Sequence, residues 1–287
     1  MYVDADASLR KLYPDLTFVP APYVLHPAYP QFIRNVVKEH QVDYYIPLID
    51  EELPIAHSLS RDTDFTCKLI APQFNFVHLT LNKLKLMERL SELGISEIPT
   101  WSGDNPPVDM SGLIAKPIFG RGSRGVRRIN SLEKYRAYCL LEERDPASVL
   151  LQKHYGGTEY TIGVLADANN RLLAISSRKV LSKKGVTIRA VTVNEPIIEQ
   201  LVDKIQTHLR PSGPYNVQLI IDQSGVPRVF EINPRFSTTL VMSYAGGLDE
   251  ISLFISANSD SAVVRRPAVG VELHRTWKNN FVGTSAE

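Results

Sequence analysis

Short apolar runs rich in Val, Ile, Leu and Tyr alternate along the chain with segments whose apolar positions recur every three to four residues, so strands and helices take turns. Tyr2 to Ala5 reads as a short strand. Pro30 to Gln41 sets Phe32, Ile33, Val36 and Val37 at helical spacing; Asp43 to Ile49 follows as a compact strand, and Asp50 is placed to cap the next helix. Cys67 to Ala71 adds another strand. This βαβ-like alternation predicts a parallel sheet.

Further along the pattern changes. Leu81 to Leu93 predicts a helix with Leu84, Met87, Leu90 and Leu93 inward and Gly94 closing it. A strand at Leu113 to Ala115, one resuming at Val126, a helix from Ser131 to Glu142 and a strand at Ser148 to Lys153 come next. Tyr160 to Ala166 pairs with Leu172 to Val180, and Ser182 to Val193 carries Lys183, Lys184 and Arg189 toward a strand. Asn194 is placed to cap a helix with Ile197, Ile198, Leu201, Val202 and Ile205 against the core. Gly246 and Gly247 break a later helix, Val271 to Val282 is a closing strand, and Gly283 to Glu287 is a frayed end.

Between these lies a hairpin, Tyr215 to Asp222 and Pro227 to Asn233, with Gly225 in the turn. If Ser224 and Gly225 form a two-residue loop, Gln218 faces Glu231 with Cβ atoms roughly 5 Å apart. Period two then puts Asn233 on the face of Glu231. One carboxylate and two amides are hard oxygen donors of the kind Mg²⁺ takes while keeping places for water and phosphate. On spacing alone an exposed polar hairpin face fits equally well. A second basic feature is Gly112 to Arg128, GLIAKPIFGRGSRGVRR. Its glycines admit close backbone approach, and Lys116, Arg121 and Arg124 supply charge suited to phosphate. No Gly-Lys-Ser/Thr follows, so it is not a Walker A loop.

Glu231-Ile232-Asn233-Pro234-Arg235 with Asn216-Val217-Gln218 upstream resembles the metal-binding end of the ATP-grasp superfamily, especially its carbamoyl phosphate synthetase-like and amino acid ligase members. The strand, Lys116-Pro117 and the Gly-Arg-Gly-Ser-Arg-Gly-Val run resemble that superfamily's lid. The resemblance implies an α+β chain: two α+β subdomains clasping ATP over residues 80–287, with a lid at about 112–154, preceded over 1–79 by a truncated Rossmann-like α/β domain. It also implies ATP and Mg²⁺, two ions in all, with Mn²⁺ as a substitute. Gln218, Glu231 and Asn233 are the implied metal ligands; Lys116 contacts the α and β phosphates, and Lys83 reaches phosphate from a helix start where Asn82 replaces the usual Asp. Gly122, Ser123, Arg124 and Gly125 close over the phosphates, backbone groups at Gln152, Lys153 and His154 read the adenine edge, and Glu159 accepts from the ribose. Arg235, with Lys116, is implied to stabilise the transferred phosphoryl group. Arg178 and Arg189, set in otherwise apolar strands, are candidates for an acidic substrate, with solvation an equal alternative.

The implied reaction is ATP-dependent amide or peptide bond formation by a carboxylate–amine ligase through an acyl phosphate. Two alternatives stand: phosphorylation of bicarbonate or carbamate, and a noncatalytic nucleotide-binding or scaffolding role. Relatives open with a strand and Gly-rich turn that this chain lacks, so either the chain is clipped or its first sheet is naturally short. Asp4, Asp6, Asp50 and Glu51 at probable strand ends read as capping or solvated residues.

With 287 residues, 44% of them hydrophobic, the chain can bury a full core. Its 32 basic and 31 acidic residues leave a formal net charge of +1, which gives no field for nucleic acid or an anionic membrane. Cys67 and Cys139 are too few for a disulfide framework or thiolate metal site, and the first residues lack the pattern of a secretory leader. The expectation is a cytoplasmic protein with small carboxylate and amine substrates, without nucleic-acid or membrane partners, and free to form a homodimer.

Overall fold

The structure is a computed structural model that describes residues 1–122, 124–256 and 263–277. Two compact units emerge, Met1–Ile70 with Arg275–Glu287, and Ala71–His274. In the first, β1 (Tyr2–Asp4), α1 (Leu9–Leu12) and β2 (Phe18–Pro20) precede α2 (Tyr29–Glu39), β3 (Tyr44–Tyr45), α3 (Leu53–Leu59) and β4 (Lys68–Leu69). The pairings β1–β2 and β3–β4 are parallel, but they form two separate two-stranded ladders rather than one sheet. The strand expected over Asp43 to Ile49 shrinks to two residues because Pro47 has no N–H for a ladder and the N–H of Leu48 goes to Glu52 Oε2 at 3.1 Å. Asp50 opens a 3₁₀ turn, Asp50–Glu52, ahead of α3. Ile33 and Val37 of α2 pack with Tyr29, Leu59, Phe65 and Cys67 as this unit's core. Burial, then the nearby Asp43, pushes the Cys67 thiol up to about 11, so it stays protonated at neutral pH.

The second unit begins with α4 (Phe74–Leu81) and α5 (Lys83–Glu92), then β5 (Thr100–Ser102), β6 (Leu113–Pro117), β7 (Arg127–Ile129), α6 (Leu132–Leu141) and β8 (Val149–Lys153). It continues through β9 (Gly157–Ala166), β10 (Leu172–Lys184), β11 (Val186–Val193), α7 (Pro196–Leu209), β12 (Gly213–Asp222), β13 (Pro227–Asn233), α8 (Val241–Ala245), α9 (Glu250–Ile255) and β14 (Glu272–His274). One sheet has the order β5-β8-β6-β7, with Leu113, Ala115, Val149 and Leu151 buried against Tyr135 and Tyr138 of α6. The other has the order β13-β12-β9-β10-β11-β14 and buries Ile162, Val164, Val217 and Leu219 against α5 and α7.

Several boundaries move for local reasons. The expected helix from Leu81 starts two residues later, at Lys83, since Asn82 is extended and its side chain accepts from Lys85 N at 3.0 Å, capping α5. That start rotates the inward stripe, burying Leu86 in place of Leu84 alongside Met87 and Leu90. Glu195, not Asn194, stands at the start of α7, and Ile197 is exposed while Ile198, Leu201, Val202 and Ile205 are buried. β10 runs through a bulge past Val180, so Lys183 and Lys184 belong to it and not to the strand of Arg189. The expected closing strand is formed over Glu272–His274 only; 275–277 are not strand, and 278–287 lie outside the described residues.

Candidate active site

The geometry starts at the β12–β13 hairpin. Gln218 does face Glu231, and Asn216 faces Asn233, yet nearer the turn Leu219 faces Val229 and Ile221 faces Pro227. The loop is therefore three residues, Gln223 to Gly225, instead of the expected two. Asp222 imposes it: its Oδ1 accepts from the N–H groups of Ser224 and Val226, and Gly225 takes φ +81°. The register slip falls at Phe230, a bulge that aims its carbonyl oxygen at Lys116 Nζ (3.3 Å) and Gln152 Nε2 (3.4 Å).

Residues paired across neighbouring strands point to one face. Glu231, Gln218, Thr161 and Arg178 therefore form one row across β13, β12, β9 and β10. Asn233, Asn216, Gly163 and Ser176 form the next row on the same face. The three expected metal donors are thus neighbours on two adjoining rows.

A cavity of about 310 Å³ opens beside them, lined by Lys83, Lys116, Gln152, His154, Glu159 and Glu231. Gly122, Arg124 and Lys153 from the expected site also line it, whereas Gly125 lies just past it on the lid and Ser123 is outside the described residues. Lys83 Nζ stands 3.5 Å from Glu231 Oε1 and donates to the carbonyl of Gly120. Lys116 lies over the Phe230 ring, 5.7 Å from its centroid. Burial lowers its ammonium pKa to about 8; Glu231 opposes the shift, while Lys83 and Lys183 add to it. Gly120 and Gly122 take φ +126° and +70°, backbone conformations that favour glycine. The N–H groups of Lys153 and His154 donate to Pro99 O and Gly112 O, so these two residues offer a ligand their carbonyls instead. The His154 ring contacts Arg128, and burial, then that cation, lowers its pKa.

Arg178 and Arg189 part company. Arg178 is 1% exposed; its Nη2 donates to Ser243 Oγ at 2.5 Å and sits 3.4 Å from Glu250 Oε1, while Nε and Nη1 are buried without a hydrogen-bond partner. Burial lowers the Arg178 pKa and raises that of Glu250, and their mutual attraction opposes both shifts. Gly163 lies against the guanidinium, where a Cβ would stand 2.9 Å from Nη1 and displace it. Arg189 is exposed on β11 opposite Ser182. Arg235 is half-buried just after β13, with Nη1 donating to Phe236 O.

Sequence reasoning took Lys183 as a solvated basic residue; in the structure it pairs with Glu159 at 2.7 Å and lies over the Phe230 ring. Sequence reasoning gave Phe230 and Asn216 no role. β10 runs on past the end of its pairing with β9 and carries Lys183 to the cleft, and no local spacing encodes that.

Among the described residues no three His, Cys, Asp or Glu side chains cluster as a metal site, so a cation here would depend on amide oxygens. Glu231 with Gln218 and Asn233 fits Mg²⁺, which accepts one carboxylate and takes its remaining oxygens from amides, water and phosphate.

A four-stranded sheet, a six-stranded sheet and a lysine-rich cleft between them make up an ATP-grasp fold. Residues 145–280 match the family described as ATP-grasp in the biosynthetic pathway with Ter operon. The structure is similar to the biotin carboxylase domain of Hydrogenobacter thermophilus 2-oxoglutarate carboxylase, solved with MgADP, ADP and bicarbonate, at TM-score 0.69 and 14% identity over 90% of this chain and 65% of that one. It is also similar to N5-carboxyaminoimidazole synthetase from Staphylococcus aureus complexed with ADP, at TM-score 0.67 and 14% identity over 93% and 72% of the two chains. L-amino acid ligase from Bacillus licheniformis gives TM-score 0.62 and 19% identity over 83% of this chain and 61% of that one. The chain thus spans less than two thirds of the first and third of these proteins. No curated protein sequence matches it. No helix among the described residues is long and apolar enough to cross a membrane.

Proposed function

We propose that this chain is an ATP-dependent carboxylate–amine ligase whose nucleotide-binding domain spans residues 80–287 with a lid at about 112–154. The observation that carries it is the convergence of Lys83, Lys116 and Glu231 on one cavity, beside Gln218 and Asn233 on the same sheet face. Cations that crowd together, one of them buried enough to lose much of its proton affinity, fit a polyanion such as a triphosphate.

Gln218, Glu231 and Asn233 would hold Mg²⁺, which would supply positive charge to offset that of the phosphates. Lys116 and Lys83 hold the phosphate chain, and the glycine loop with Arg124 covers it and excludes water. The Lys153 and His154 carbonyls accept from the adenine amino group, and Glu159, released from Lys183, accepts from the ribose. The acid's carboxylate oxygen attacks the γ-phosphorus, the bond to ADP breaks, and Arg235 offsets charge on the moving phosphoryl group. An amine nitrogen then attacks the acyl carbon; phosphate leaves with the C–O electron pair and the nitrogen gives up its proton. Arg178 anchors the acid substrate: its unpartnered Nε and Nη1 stand in the same row as Gln218 and Glu231, on the sheet face that carries the phosphate-binding residues.

Likeness to a biotin carboxylase domain and a carboxyaminoimidazole synthetase favours a second reading, phosphorylation of bicarbonate. Purified protein with ATP and Mg²⁺ is given amino-acid pools or bicarbonate, with ADP release followed and acyl phosphate trapped by hydroxylamine. The ligase reading expects pool-dependent ADP release and a hydroxamate. ADP release that needs bicarbonate alone selects the second reading; nucleotide binding without turnover under any pool overturns both in favour of a noncatalytic role.

A further inference from the structure

Asn216 is 2% exposed and sits between two functional residues without lining the cavity. Its Nδ2 donates to the Arg235 carbonyl at 3.0 Å and lies 3.5 Å from the Asn233 carbonyl. Its Oδ1 accepts from Asn233 Nδ2 at 3.2 Å. These contacts fix both amides. A backbone carbonyl only accepts, so the Asn216 atom beside Arg235 O must be nitrogen, which leaves oxygen facing Asn233. Asn233 must then present its nitrogen to Asn216 and turn its oxygen the other way.

We infer that Asn216 is a positioning residue: it sets the flip of the Asn233 amide so that oxygen, not N–H, meets the cation, and it ties the Arg235 backbone to the same strand. This rests on the proposed reading of Asn233 as a metal donor. An amide has two unlike ends, and with the NH₂ group turned toward a divalent ion the contact is repulsive. Partners that orient a ligand in this way are worth about 10- to 100-fold in metal affinity.

The test uses the full chain and ADP as probe, with affinity measured calorimetrically in saturating Mg²⁺ and in EDTA; the ratio is the metal linkage. Asn216→Ala, with Asn216→Ser in parallel to limit lost packing, is expected to cut that ratio about tenfold, with ADP affinity in EDTA within about twofold of wild type. The decisive variant is Asn233→Asp. A carboxylate presents oxygen in either orientation and needs no orienter, so Asn216→Ala added to Asn233→Asp should change the ratio less than about twofold relative to Asn233→Asp alone. A wild-type ratio in both Asn216 variants overturns the inference. So does a loss that persists undiminished in the Asn233→Asp background, or one equally large in EDTA, because a merely structural role predicts both. If the wild type itself shows no Mg²⁺ dependence, or Glu231→Ala leaves it intact, the metal reading has failed and takes this inference with it.

Discussion

Glu52 in the first unit and Glu231 in the second are both acids held largely out of water, and their surroundings differ in kind. Glu52 accepts from Tyr29 Oη and Tyr45 Oη at 2.6 Å each and from Leu48 N at 3.1 Å, so neutral donors saturate its carboxylate. Burial, then the charge of Glu52, raises the pKa of both phenols, which keeps them as donors. Glu231 instead faces Lys83 at 3.5 Å, beyond good hydrogen-bonding distance, with a second lysine close enough to feel its charge. An acid whose acceptors are satisfied by its own fold is part of a core. One held beside crowded cations, at the edge of a cavity, is arranged for something that arrives later.

Exchanging the two acids' fates is the sharpest way to break this contrast. Glu231→Ala should reduce turnover by about 100-fold or more and remove the Mg²⁺ dependence of ADP binding. Its melting temperature should stay within about 2 °C of wild type, because no satisfied network is lost. Unchanged activity would remove the metal assignment. Glu52→Ala should do the reverse. Two phenols and a backbone N–H lose their acceptor, which costs about 2–4 kcal/mol in urea unfolding, while MgADP affinity holds within about twofold. A Glu52→Ala protein of wild-type stability would erase the distinction.

What the sequence made legible follows the reach of each signal. That Gln218, Glu231 and Asn233 share one face was readable because they lie within one local pairing, and period two survives the bulge at their end. The loop length was not, because it depends on how many donors Asp222 gathers at once. The basic glycine loop could be seen in its sequence, whereas Lys83 by itself looks like a surface cation; Lys83 and Lys116 are 7% and 8% exposed. The contacts of Lys183 and Asn216 were beyond reach, since they join side chains to partners seventeen or more residues away in the chain. The two arginines looked alike in sequence, and only the six-stranded order separates the buried Arg178 from the exposed Arg189.

The smallest expected effect is also the most specific to the cleft, because it turns on protons alone. With its pKa held at about 8, Lys116 in the empty protein loses charge well below the usual lysine range. The unfolded chain, with the lysine near 10.4, binds more protons between these values, so stability of the ligand-free protein should rise with pH across that window. Nucleotide binding should move the other way. Phosphate restores a counter-charge and draws the proton back, so each ADP bound above about pH 8 takes up part of a proton, and affinity should fall about tenfold from about pH 7.5 to about pH 9.5. Calorimetry in buffers of different ionisation enthalpy reads the uptake directly, and thermal melts over the same range read the stability trend. Lys116→Met should flatten both. If affinity and stability fall together in the wild type, or if Lys116→Met keeps the proton uptake, the titrating group is elsewhere and Lys116 is not the ammonium that meets the phosphates.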